Sequence, residues 1–171
     1  MEFFVYGRDR PGSFGLKGSV TEEHWAFMDG YAGELIARGP TLTEDGEQTT
    51  GSLHIVDLPD LQAAQTFAYE EPYYRAGVFE SVLLCRFHKR FGTTMWEFAN
   101  AVEGYHRYLV LTKDESRPLS SDHLILYGDL VGDTHLGRAV LLEAADAKAA
   151  AVLADAAEAD VHPWEFGGRR D

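Results

Sequence analysis

The residue best placed to move a proton in this 171-residue chain is His24. Apolar spacing puts it at the third position of a helix's first turn, beside Trp25. Backbone amides at a helix start favour neutral imidazole, and a ring so placed titrates near neutrality. The other histidines, His54, His88, His106, His123, His135 and His162, lack the three- or four-residue spacing that sets two ligands on one helix face. No metal site is expected. Gly12, Gly15 and Gly18 recur every three residues in a loop, yet form neither a dinucleotide fingerprint nor a phosphate loop. No cofactor is expected either. Cys85 lies in an apolar strand and reads as buried and inert, and no serine or cysteine nucleophile is signalled. Tyr73, Tyr74 and Arg75 combine rigid hydroxylated rings with a guanidinium fork, which suits an aromatic or carboxylate ligand. The competing reading is ordinary packing of a connection between a helix and a strand.

The whole-chain balance narrows the ligand class. Asp and Glu number 28 against 15 Lys and Arg, a formal net charge of -13 that repels phosphate backbones and anionic lipid. Nucleic acid and membrane are therefore poor partners, and a small molecule is the expected one. A single cysteine, the absence of a leader-like start and the lack of a long apolar run point to a cytoplasmic protein.

Positioning these groups requires a frame. Phe3-Phe4-Val5-Tyr6 reads as a first strand ended by Gly7 and the Arg10-Pro11-Gly12 turn. Trp25, Met28, Ala32 and Leu35 predict a helix over about 21–37, capped by Thr21 with Val20 stapled to Trp25. Residues 52–57 read as a strand, Asp60 caps a second helix that ends before Pro72, and 78–87 form a last strand. That order predicts an α+β domain of the split βαβ, ferredoxin-like kind over residues 1–92. Residues 93–105 form a junction packed through Trp96 and Phe98, not a flexible linker.

Residues 106–171 parallel the first half. Tyr108-Leu109-Val110-Leu111 repeats the opening strand, and Asp114 stands where Asp9 does. Gly128 and Gly137 open strands as Gly39 and Gly51 do, and Asp146 with Ala149 and Ala150 matches Asp60 with Ala63 and Ala64. A tandem duplication is the simpler reading, with a shortened second copy that has lost the first helix. Asp9 has two readings, a turn residue or a substrate-binding group.

Four stretches carry a family resemblance: the helical His24, Ala37-Arg38-Gly39-Pro40, Thr50-Gly51-Ser52, and Glu70-Glu71-Pro72-Tyr73-Tyr74-Arg75-Ala76-Gly77-Val78-Phe79. Over residues 1–92 the chain resembles the YCII-related (YciI-like) family. The resemblance implies a ferredoxin-like fold of the dimeric α/β-barrel type, often paired through the sheets, and distantly similar to muconolactone isomerase-like proteins. It also implies a His-Asp catalytic pair, matched here by His24 and Glu71, the carboxylate being one methylene longer. Glu71 would orient the ring as the carboxylate of a hydrolase triad does, and would favour imidazolium against the helix start. Ser52 in the Thr-Gly-Ser match is a pocket hydroxyl or a strand-start residue.

In the second half His162-Pro163-Trp164 replaces Glu71-Pro72-Tyr73 and His24 has no counterpart, so a second active site is not expected. Two functions follow. One is an acid-base enzyme for isomerisation, elimination (dehydrohalogenation included) or a lactone-type reaction, with the second half closing the pocket. The alternative is a non-catalytic small-molecule-binding or assembly module. A tandem copy would supply within one chain the partner of a family dimer, giving a pseudo-dimeric monomer in place of a homodimer.

Overall fold

The computed structural model describes residues 1–113 and 117–168, so Asp114 lies outside the described residues. The first strand, β1 (Glu2–Asp9), is apolar and buried from Phe3 to Tyr6, where both of its faces are covered. Phe4 and Tyr6 point into one apolar cluster, whereas Phe3 and Val5 point into another. Two short helices follow, α1 (Phe14–Ser19) and α2 (Thr21–Asp29). Then come β2 (Leu35–Leu42), β3 (Thr49–Asp57), α3 (Leu61–Tyr69), α4 (Pro72–Arg75) and β4 (Phe79–Phe91). The remainder holds β5 (His106–Thr112), β6 (Leu124–Val131), β7 (His135–Ala144), α5 (Ala147–Leu153) and β8 (Val161–Trp164).

The eight strands close an antiparallel barrel in the order β1-β3-β2-β8-β5-β7-β6-β4. Taken by halves, β4-β1-β3-β2 and β8-β5-β7-β6 follow the same path, and the halves join where β2 meets β8 and β6 meets β4. The fold is α+β, ferredoxin-like, of the dimeric α/β-barrel type. The closed order gives every strand a neighbour on each side. The interior is common to both halves: Phe4, Leu53, Ile55 and Phe87 meet Leu109, Leu126, Leu141 and Trp164. Outside, α2 and α3 cover the first half through Met28, Phe67 and Ala68, and α5 covers the second through Ala150 and Ala154. Among the described residues no helix is long and apolar enough to cross a membrane.

Several expectations are corrected. The helix expected to about 37 stops at Asp29, and Leu35-Ile36-Ala37 pair with β3 as strand. Gly30 and Gly33 weaken the helix, and strand pairing beside β3 outweighs the helical period. The period had a real cause all the same, since Met28 and Leu35 meet in one cluster. Helix α1 occupies what read as a glycine loop, and Val20, not Thr21, sits at the start of α2. The buried face of α2 is turned by one residue, so His24 is inside and Trp25 half-buried. In the junction the anchor is Met95, fully buried, whose sulfur accepts the Arg38 N–H at 3.2 Å, whereas Trp96 is exposed.

The same local device starts the helix after the third strand of each half. Asp60 accepts the Ala63 N–H and Asp146 accepts the Ala149 N–H, each at 2.8 Å. Asp60→Ala and Asp146→Ala are each expected to cost about 1 kcal/mol, and the double variant about the sum, because the sites share no partner. Urea unfolding of the three variants measures this.

Candidate functional site

A cavity of about 450 Å³ opens between α1, α2, the outer faces of β2 and β3, and the chain that follows β8. Strand alternation explains its polar floor. In β3, Leu53 and Ile55 fill the barrel, so Ser52 and His54 face outward, and β2 sets Arg38 opposite His54 and Pro40 opposite Ser52.

His24 enters from α2 and meets Glu71, which stands just before α4. One carboxylate oxygen of Glu71 caps α4 by accepting the Tyr74 N–H at 2.9 Å. The other accepts from His24 Nδ1. Both side chains are buried, and the Tyr73 ring stacks on His24 at 4.0 Å with 12° between planes. The Tyr73 hydroxyl and the Thr21 hydroxyl are hydrogen-bonded at 3.2 Å. With Nδ1 engaged, Nε2 is the nitrogen left for a ligand in the cavity that His24 lines.

Lys17 and Arg38 add positive charge in a strongly acidic chain. Lys17 Nζ donates to the Asp9 carboxylate at 2.9 Å and to the Thr49 hydroxyl at 3.1 Å, with both charges buried. Burial holds the Lys17 ammonium below its usual pKa, and Asp9 opposes the shift. Burial also lowers the His24 pKa, with the Arg38 and Lys17 charges adding to the effect and Glu71 working against it. His54 is pushed further down by complete burial, then by the charges of His24, Arg38 and Lys17. Both rings are therefore neutral near pH 7. Burial raises the Tyr73 phenol.

The remaining expected site residues are placed as follows. Ser52 and Tyr73 line the cavity. Asp9 is not on its wall and instead holds Lys17, which is. Tyr74 and Arg75 lie outside: Tyr74 is exposed with its ring against Tyr69, and Arg75 pairs with Glu70 at 3.0 Å on the surface. Sequence reasoning missed Lys17, Arg38 and His54. His54 was open to discovery, because a residue two positions from Ser52 in a strand shares its face. Lys17 was hidden by the misread of α1.

The second half contributes the last wall, Glu165–Gly168. This segment prolongs the β8 pairing, with Glu165 N–H donating to Pro40 O at 3.2 Å and Gly167 N–H to Arg38 O at 3.0 Å. Gly39 makes the approach possible, since a Cβ there would lie 1.9 Å from Glu165 O. Phe166 is fixed under the Arg107 guanidinium at 3.8 Å. On the second half's own outer face the register positions of Arg38, His54 and Ser52 are taken by Tyr127, Val140 and Arg138. Tyr127 packs there with Val140 and stacks under Arg138 at 5.1 Å. No cluster of three or more His, Cys, Asp or Glu side chains suited to a metal ion occurs among the described residues.

Comparison with known proteins places these features. The model of the YCII-related domain matches residues 1–88. An uncharacterised Haemophilus influenzae protein is 32% identical over 98 residues, covering 53% of this chain and all of that protein. Protein YciI of Escherichia coli O6:H1 is 33% identical with the same coverage. Among solved structures, 5-chloro-2-hydroxyhydroquinone dehydrochlorinase from Burkholderia phenoliruptrix AC1100, in complex with 2,5-dihydroxybenzoquinone, has a TM-score of 0.47 and 28% identity over 50% of this chain and 92% of its own. A "putative monooxygenase" from Lactobacillus acidophilus NCFM covers 98% of this chain and 96% of its own at a TM-score of 0.52 and 9% identity, a likeness of fold alone. With just over half its length matched by that domain and whole relatives aligned end to end, the chain belongs to the YCII-related family.

Proposed function

We propose that the chain is a small-molecule enzyme in which His24, oriented by Glu71, transfers protons at carbon, in an isomerisation, an elimination such as dehydrohalogenation, or a lactone-type reaction. The observation that carries this reading is the buried His24–Glu71 contact on the wall of a cavity of about 450 Å³. A neutral His24 is ready to accept a proton at Nε2, and the imidazolium so formed keeps its hydrogen bond to a carboxylate. Such a group contributes about 10²–10⁴-fold in rate. Ser52 and Tyr73 would contact the bound molecule, and Lys17, held by Asp9, and Arg38 favour an anionic one.

We further infer an internal duplication, with residues 1–92 and 106–171 as halves of a pseudo-dimer in which one half keeps the site and the other supplies a wall. Matching strand orders and the matching caps at Asp60 and Asp146 support it. A single closed barrel should elute in gel filtration as a monomer near its 19.0 kDa mass. Elution at about twice that mass would count against the pseudo-dimer, since every strand of the closed barrel already has a neighbour on each side.

The acid-base pair is tested by NMR titration of the His24 ring in the wild type and Glu71→Gln. Glutamine still offers an oxygen to cap α4 but no charge, so the His24 pKa should fall further. An unchanged value would remove the basis for the proposal. Stability should also depend on pH. His24 and His54 lie below the ordinary value of 6.5 in the folded chain and return to it on unfolding. As pH falls below about 7 the unfolded chain takes up protons that the folded chain refuses, so stability drops. The urea midpoint should decrease between about pH 8 and 5.5, and less so in His54→Val; a midpoint that rises on acidification contradicts this assignment of neutral rings.

A further inference from the structure

We propose that His54 donates a hydrogen bond to the substrate oxygen on which negative charge develops when His24 removes a proton, so that the substrate is a small enolisable carbonyl compound. This rests on the reading of His24 and Glu71 as the acid-base centre.

His54 is 5% exposed, lines the cavity and makes no hydrogen bond among the described residues. Its ring nitrogens are not among the fully enclosed unpaired side-chain atoms, so they open to the cavity, where an imidazole offers one N–H donor and one acceptor. Its ring is held edge-to-face against the fully buried Phe67 at 5.5 Å, which fixes its plane without satisfying either nitrogen. The partner is therefore to be sought in the cavity.

The neighbours say what kind of partner. The His24 ring centre is 5.5 Å away, so one substrate can meet both rings. Lys17 and Arg38 stand on the walls, and the one nearby carboxylate pair, Asp9 and Glu71, is engaged with Lys17 and His24. A preorganised N–H beside fixed positive charge is the environment that stabilises an oxyanion forming away from water. Neutrality suits the role, because an imidazole that keeps its proton acts as an electrophile throughout the step.

The step balances without any co-reactant. The C–H bond next to the carbonyl breaks and its electron pair forms the enolate double bond, while the C=O π pair moves to oxygen. The proton goes to Nε2 of His24, and the charge on oxygen is met by the His54 N–H. The proton then returns from His24 to another carbon, which is isomerisation, or the enolate expels a leaving group, which is elimination. A cavity of about 450 Å³ suits a single-ring molecule.

The test uses 4-nitrophenolate as a stable enolate mimic, titrated by visible absorbance near pH 7, with ¹H–¹⁵N spectra of the histidine rings recorded in parallel. Wild type should bind the phenolate form and lower the phenol's apparent pKa by about one unit or more. His54→Val, which places there the residue found at Val140 in the matching register, should weaken phenolate binding at least about tenfold, the scale of a hydrogen bond to a charge. His54→Gln, which keeps an N–H donor, should stay within about threefold of wild type. Failure of wild type to bind the phenolate, or equal affinity in wild type and His54→Val, overturns the proposal. The His24 ring signals in Glu71→Gln without the probe report separately on the acid-base pair, so that reading stands or falls independently.

Discussion

Most strands of this protein have to bury two faces, and much of the architecture follows from that constraint. The inner face is satisfied by closing the barrel, where residues from both halves share one apolar filling. The outer face needs a separate cover, supplied by α2 and α3 on one side and α5 on the other. A cavity arises where outward residues of β2 and β3 are too polar to lie under an apolar helix. In the second half a tyrosine and a valine at those places pack together in the apolar cluster that α5 covers. Site and scaffold are two outcomes of the same rule applied to different outward residues.

Glu71 joins local folding to chemistry. Its two oxygens serve different masters, one ending the orphaned amides of α4 and the other fixing a ring from α2. The added methylene relative to aspartate does not prevent the contact. Because Pro72 opens the short helix and Tyr73 stacks on the ring, three consecutive residues, Glu71 to Tyr73, hold the plane of His24. Glu71 is a helix cap and the partner of a histidine at once.

Much of the frame was legible in the sequence because its signals are local. The β-branched and aromatic runs gave the strands, Asp60 and Asp146 gave their helices, and the motif around Glu71 gave the family. What escaped was decided at long range. Leu35-Ile36-Ala37 kept a helical period yet became strand because β3 was there to pair with. Gly15 and Gly18 concealed a helix that carries Lys17. Tyr74 and Arg75 looked suited to a ligand by type, but the single turn of α4 points them outward. Arg38 and His54 belong to the site only because two strands are in register, which no single stretch of chain reveals.

The close pass of Glu165–Gly168 over Gly39 gives the cavity a wall encoded more than a hundred positions away from its floor. The second half thereby shapes a cavity whose floor belongs to the first. Freed from the identity that two subunits of a homodimer must share, that wall can change without altering the histidine, the carboxylate or the strands beneath them. Differences between such chains in what the cavity admits would then be written in the segment after β8, while the His24–Glu71 contact stays fixed.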